Sequence, residues 1–324
     1  MQQSFCASPV ECILIDDCGG DRSIQIAKDL IREYQGPFEF RIISNQQNLG
    51  IAMTRNVGLK NANGKYLFFL DSDDSIEPDC LEILVDALKS HPNADVVMGN
   101  TYYTLGKKMW LDEKKVPAGV IHSKQLMKLF FYSYIPDTVW NALLKKEIIE
   151  KNDVYFIPGY IHEDMLWIYR LYQKVNEFIF VPKLTLRYED TPSSIMNSVP
   201  KDYNPHLKSL LFNPNYILDH FSFSHYVDAT LYVLWYLNHE NDMIKKETVL
   251  PEYKSEHKRI RNRILKRDLK NLRLTLVMFE LLMFKPFSLL NKLKCFRHNY
   301  YSISQVTRKV AMFFSPIHLQ SRHR

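Results

Sequence analysis

At 324 residues, 46% hydrophobic and 24% charged, the chain is long enough for one large α/β domain with an appendage, and its make-up is ordinary for a globular protein. Its net charge of +6 hides an asymmetry: from Pro251 onward there are 17 Lys and Arg against 4 Asp and Glu, while residues 1–250 carry a net −7. An acidic body with a basic tail suggests two jobs, the tail facing a polyanion or an anionic membrane.

The opening "MQQSFCASPV" has neither a basic start nor an apolar stretch, so no secretory signal is expected. "ECILIDD" (11–17) is a short apolar run ending in acids and predicts a buried strand. "SIQIAKDLIREY" (23–34) presents a helical face, "FEFRIISN" (38–45) a second strand, and "NLGIAMTRNVGLKNANG" (48–64) a helix stopped by Asn63-Gly64. "KYLFFLDSDD" (65–74) predicts the third strand, "DCLEILVDALKSH" (79–91) a helix and "ADVVMGN" (94–100) the fourth strand. Strands alternating with helices imply a largely parallel sheet covered on both faces, with ligands beyond the strands' carboxyl ends. Later, 138–152 looks helical, 161–175 is a helix led by acids, 177–190 has strand character, and 254–273 is a helix carrying nine Lys or Arg. A composition shift near residue 200 divides the chain into 1–200 and a helical, basic 201–324.

Three carboxylates, Asp71, Asp73 and Asp74, fall within four positions of "LFFLDSDDSIEP" (67–78). Clustered hard oxygens suit Mg²⁺ or Mn²⁺, and too few are present for a closed calcium cage. A cation held by one or two carboxylates keeps positions for phosphate oxygens, so a metal–diphosphate is the expected ligand. The alternative is a solvated turn in which Asp74 or Ser75 caps the next helix.

"ECILIDDCGGDRS" resembles the "ILIDDGSTDNS" signature of glycosyltransferase family 2. "NLGIAMTRNVGLKNANGKYLFFLDSDDSIEPDCLE" resembles that family's N-x-G…ARN-x-G…FLDSDD…P-x-x-L run. "VWNALLKKEII", "IPGYIHEDMLW" and "SSIMNS" (193–198) are similar to its later motifs, in the same order and spacing. The resemblance implies a GT-A fold, a Rossmann-like mixed sheet, and inverting transfer of a sugar from a nucleoside diphosphate-sugar. It implies that Asp16, Asp17, Arg55, Asp71 and Asp73 bind the donor, with Asp73 the metal ligand and Asn56 a structural partner. It implies that Asp164 is the general base, since single-displacement inversion needs an acceptor hydroxyl deprotonated opposite the leaving diphosphate. Glu163-Asp164 could instead merely favour a helix N-terminus. Trp140 reads as core packing more than as a wall of the acceptor cleft, and His162 as a neighbour rather than a ligand.

The chain departs from the family at Cys18-Gly19-Gly20, which replaces Gly-Ser-Thr, and it starts near the end of the family's first helix. The expectation is therefore a domain lacking the first strand and most of that helix. No Q-x-x-W follows Asp164, which favours single transfers. Two rivals are a phosphatase with Asp71 as nucleophile, which leaves the N-x-G…RN and Glu-Asp segments unexplained, and an inactive sugar-nucleotide-binding homologue.

Cys6, Cys12, Cys18, Cys80 and Cys295 form no CxxC pair or metal-ligand spacing, and read as reduced thiols of a cytosolic protein. The apolar run Leu274–Phe284 is too short to span a bilayer. The cationic and apolar segments of 254–294 fit the inner face of an anionic membrane, and equally helix packing on the body. No nucleic acid motif accompanies the charge. The acceptor expected is a glycan or a lipid-linked glycan in bacterial surface polysaccharide synthesis.

Overall fold

Glu11–Asp16 forms strand β1 and Glu39–Ser44 strand β2, paired in parallel from Glu11↔Glu39 to Asp16↔Ser44, with helix α1 (Ser23–Glu33) between them in sequence. The computed structural model describes residues 3–4, 9–104, 106–189, 203–220, 229–230, 232–234, 237, 243–245 and 248–270. Helix α2 (Ile51–Asn61) starts later than its apolar pattern predicts, because Leu49 and Gly50 give their amides to the Asp17 carboxylate. Gly50 adopts φ 79°, a conformation that glycine enters without steric cost.

The strand expected over 65–74 is shortened to β3 (Tyr66–Phe68). The chain then turns through the acids, with the Asp74 amide on the Asp71 carbonyl at 3.2 Å, and re-enters as β4 (Ser75–Ile76) before helix α3 (Cys80–Ser90). Beyond it come β5 (Val96–Tyr103), β6 (Lys108–Met109), β7 (Gly119–His122) and helix α4 (Ser123–Phe131). The helix predicted over 138–152 divides: Ala142–Lys145 is strand β8 and only Lys146–Lys151 is helix α5. A short apolar run such as "ALL" fits either state by period, and here its neighbours β3 and β5 decide. Helix α6 (Glu163–Tyr172) and strand β9 (Glu177–Tyr188) follow.

The larger sheet runs β3-β8-β5-β9-β4, with β6 on β5 and β7 on β9. Its β5/β9 pair is parallel and its other pairs are antiparallel, so the expectation of a largely parallel sheet is corrected to a mixed one. Local periodicity reports a strand's existence but not its direction. Between β5 and β9 a side chain on Gly99 would overlap buried Thr185, and the pairing register shifts at the same place. Cys80 and Leu84 of α3 pack with Val97, Leu143 and Ile179 on one face of this sheet. Phe178 and Phe180 alternate to the other face, where Phe178 meets Tyr172 of α6, itself packed on Phe130 of α4.

Among the described residues β1 pairs with β2 alone and β3 with β8 alone. The β1 residues Ile13 and Ile15 and the β3 residues Tyr66 and Phe68 line a cleft of about 970 Å³ that extends to Arg55 and Asp71. The strand β1 is thus only partly buried along its length, unlike the buried inner strand its composition suggests.

The chain divides into two compact units, Met1–Pro200 and Lys201–Arg324. In the second, helix α7 (Asn204–His220) packs against helix α8 (Pro251–Lys270). Helix α8 buries His257, Ile260, Ile264 and Asp268, a 3–4 residue stripe, and sends Arg263 to Asp219 and Arg267 to the Leu218 carbonyl. Part of its positive charge is therefore engaged within the unit, while Lys254, Lys258 and Lys266 stay exposed. The motif at 193–198 and residues 271–294 of the proposed membrane segment lie outside the described residues. No helix among those described is long and apolar enough to cross a membrane.

Candidate active site

The three clustered carboxylates have three different environments. Asp71 accepts a hydrogen bond from Arg55 Nη2 at 2.8 Å, so its charge is compensated from within the protein. Asp74 accepts the Glu189 amide at 3.1 Å on one oxygen and buries the other without a hydrogen-bond partner. Burial pushes its carboxyl up to about 7; the Glu189 amide opposes this, and the charges of Asp73, Asp71 and Glu189 add to it. A group so placed keeps its proton near neutrality, which relieves the repulsion among the three. Asp74 is not the cap of α3, which begins at Cys80 after Asp79. Asp73 alone is exposed, with no hydrogen bond or ion pair. Among the described residues no group of three His, Cys, Asp or Glu side chains is placed to hold a metal ion.

The acids at the end of β1 are largely committed to the backbone. Asp16 Oδ1 accepts the Gly19 amide at 2.9 Å and closes the turn. Asp17 accepts Asn45 Nδ2 and the amides of Leu49 and Gly50, each at 2.8 Å, and so fixes the loop that opens α2. Slight burial raises its carboxyl, but these bonds and one with Thr54 outweigh it and hold the group below its ordinary range. Asp17 thus anchors the loop that opens α2.

Arg55 connects this edge to helix α6. Its guanidinium, only 10% exposed, bonds Asp71 through Nη2 and Glu163 through Nη1, and lies 5.6 Å from the Phe156 ring centroid. Breaking a buried pair of this kind from one side costs ~3–5 kcal/mol, because the remaining charge is left uncompensated. The next residue, Asn56, brackets Phe156 with two backbone bonds of 2.9 Å, which gives the structural role expected of it. Asn45 and Phe156 carry no motif signal, and the Glu-Asp motif that contains Glu163 gives none for its pairing with Arg55, since each role is defined by a partner distant in the chain.

Asp164 sits on the first turn of α6, after His162, which takes a left-handed φ of 61° just before the helix. Desolvation by the packed helix pushes its carboxyl up to about 8; the charges of Glu163 and Asp137 add to this, and Arg55 and the Met165 amide oppose it. Glu163 is raised as well, by burial first, with Arg55 opposing. Asp137 is the neighbour that sequence reasoning missed, lying 27 positions upstream. Trp140 is buried against Trp110 at 5.4 Å and Tyr188 at 5.9 Å, which agrees with core packing.

The structure therefore brings Arg55, Asp71, Glu163 and Asp164 together, with Asp73 beside them on the turn. Against solved structures, the chain superposes on the Staphylococcus aureus protein TarS (residues 1–349, in complex with UDP-GlcNAc) with a TM-score of 0.62 and 18% identity, covering 82% of this chain and 74% of that one. The TarS 1–349 structure with UDP gives 0.63 and 17%, over 95% and 85%. These likenesses identify the fold as GT-A. Among curated proteins, the chain is 29% identical over 185 residues to a cholesterol galactosyltransferase of Borreliella burgdorferi, covering 53% of this chain and 49% of that protein. It is 30% identical over 162 residues to the poly(ribitol-phosphate) β-N-acetylglucosaminyltransferase TarP of Staphylococcus aureus, covering 48% and 45%. The chain thus spans about half the length of these two relatives. The family model "Glycosyl transferase family 2" matches residues 2–153, so the stretch that contains both acid clusters and Arg55 is similar to glycosyltransferase family 2.

Proposed function

We propose that this chain is an inverting glycosyltransferase that moves a sugar from a nucleoside diphosphate-sugar to a hydroxyl of a glycan or lipid-linked acceptor, in the synthesis of bacterial surface polysaccharide. The observation that carries this reading is two unlike carboxylates brought together by one guanidinium, Arg55, which pairs with Asp71 and with Glu163, the residue before Asp164. Asp71 lies ion-paired at the donor edge, and Asp164, pushed up to about 8, lies on the adjoining helix. A carboxylate with a raised pKa is a better match to a hydroxyl proton than an ordinary one. In this reading Asp164 takes that proton while Arg55, Asp71 and Asp16 hold the donor and Asp17 keeps the loop beside it in shape.

A Mg²⁺ or Mn²⁺ ion fits this site in one way, shared with the substrate. Asp73 is exposed and unengaged, and such ions accept one or two carboxylates when phosphate oxygens complete the shell. When bound, the ion would neutralise charge on the leaving diphosphate. A UDP-sugar is the first donor class to test, because the TarS structures hold UDP-GlcNAc and UDP. With Mn²⁺ present, the purified chain is expected to release UDP from one of UDP-glucose, UDP-galactose or UDP-GlcNAc. Release of inorganic phosphate in place of UDP would support the phosphatase reading. UDP binding with no turnover on any donor would support an inactive homologue.

The exposed Lys254, Lys258 and Lys266 of α8 support a peripheral contact with an anionic membrane surface at the cytoplasmic face. Each basic group near such a surface contributes ~1 kcal/mol. The chain is expected to sediment with vesicles containing phosphatidylserine or phosphatidylglycerol, less so as salt rises, and Lys254→Glu with Lys258→Glu should weaken this. Sedimentation unchanged by salt and by both substitutions would remove the proposal.

A further inference from the structure

We propose that Arg55 and Glu163 act as one positioning pair, a clasp that fastens the first turn of α6, and with it Asp164, to the donor edge of the sheet. This rests on the glycosyltransferase reading and adds a residue to it. A helix's first turn has amides without intrahelical partners, and such ends fray unless something outside holds them. Here the outside hold is continuous. Arg170 and Trp167, further along α6, bind back to the segment before the helix: Arg170 to the Tyr155 and Asp153 carbonyls at 2.6 and 2.8 Å, Trp167 Nε1 to the Val154 carbonyl at 2.8 Å. Phe156 lies flat on Trp167, with centroids 4.6 Å apart and planes 3° from parallel. Asn56 of α2 then pins Phe156 from the other side.

Those contacts attach α6 to α2, but on α6 they begin only at Trp167, three residues beyond Asp164. Glu163 is the residue before it, is 7% exposed, and gives its carboxylate to Arg55. Packing alone would need nothing further from Arg55. Its other arm, however, reaches Asp71 across the donor edge, so one planar, rigid fork spans the donor acid and the turn that carries the base. The separation of donor and base is thereby set by a single side chain. Glu163 itself is turned away from the role of base, because its carboxylate is occupied by a permanent cation.

The test is a double-mutant cycle on the whole chain, using Glu163→Gln, Arg55→Lys and the two together. Three readouts are taken: kcat for hydrolysis of the UDP-sugar that the wild type uses, Kd for UDP with Mn²⁺, and amide hydrogen exchange over 163–168. Glu163→Gln keeps size and removes charge; Arg55→Lys keeps charge and removes the fork. Each single change is expected to lower kcat ~10- to 100-fold by misplacing the base. The double variant should fall no more than about twofold below the worse single, since both break the same link. Exchange over 163–168 should quicken in all three variants, and the Kd for UDP should stay within about threefold for Glu163→Gln. Multiplying losses in kcat would overturn the clasp. Unchanged exchange with a collapsed kcat would do the same, and would make Glu163 a participant in the chemistry. If the wild type neither binds UDP nor hydrolyses any donor, the functional reading fails, and the exchange measurement by itself decides whether the clasp exists.

Discussion

Replacing Asp164 by Asn is expected to lower turnover of the UDP-sugar by ~10²–10⁴-fold while leaving UDP affinity near that of the wild type. The substitution removes the proton acceptor at almost constant size. It should also fold well, for a reason visible in the site. Desolvation, Glu163 and Asp137 hold the Asp164 carboxyl up at about 8, so below that pH the wild-type group is already mostly neutral. Asn replaces a neutral group with a neutral group. The stability consequence has a definite sign, because a carboxyl with a raised folded pKa favours the folded state most while it is protonated. That contribution is fully present below the ordinary carboxyl range near pH 4 and is lost progressively from there until pH passes about 8. The variant should therefore match the wild type in thermal stability near pH 4, gain on it steadily as pH rises toward 8, and keep a constant advantage above that. In the wild type, kcat/KM should climb with pH toward a plateau above about 8, as the free enzyme's base loses its proton. That limb should vanish from the residual activity of the variant. A variant that retains most of its turnover, with the limb intact, would move the base elsewhere.

The second large effect is expected at Asp73. Among the three clustered acids it is exposed and unengaged, whereas Asp71 is held by Arg55 and Asp74 is tied to the Glu189 amide. An entering cation thus meets a free carboxylate there and a compensated one at Asp71. Asp73→Asn should weaken Mn²⁺-dependent UDP binding by ~100-fold, equivalent to about 3 kcal/mol, read by calorimetry with Mn²⁺ and again with a chelator. The contrast with Asp71→Asn makes the assignment specific. That change leaves Arg55 without one of its two anions and should also lower thermal stability, which Asp73→Asn should not. Equal UDP affinity with and without Mn²⁺ in the wild type would remove the metal from this site.

Much of the first hundred residues was legible because local signals and tertiary outcome agree there. The apolar run "ECILID" is a strand and the apolar spacing of 23–34 is a helix, while the fourth strand, expected to end at Asn100, continues to Tyr103. The segment 138–152 misled for a physical reason: "ALLKKEII" has the composition of a helix, but its first half fills the gap between two strands. The elements between 101 and 137 are short, and two of them are strands of two and four residues, below the length at which a period can be read.

The sequence by itself determined the resemblance to glycosyltransferase family 2, the order of strands and helices up to α3 apart from the two-residue β4, and the identity of the acids at the strand ends. These depend on spacing along the chain, and spacing survives in a string of letters. Only the tertiary structure decided what each acid does. Asp71 is compensated because Arg55, 16 positions earlier, folds across it, and Asp164 is raised because Glu163 and Asp137 converge on it in a desolvated turn. Asp17 is an anchor because two amides at the start of α2 turn back to it. Charge, burial and hydrogen bonding between residues 16 to 108 positions apart are properties of space, and the mixed direction of the large sheet is decided at the same level.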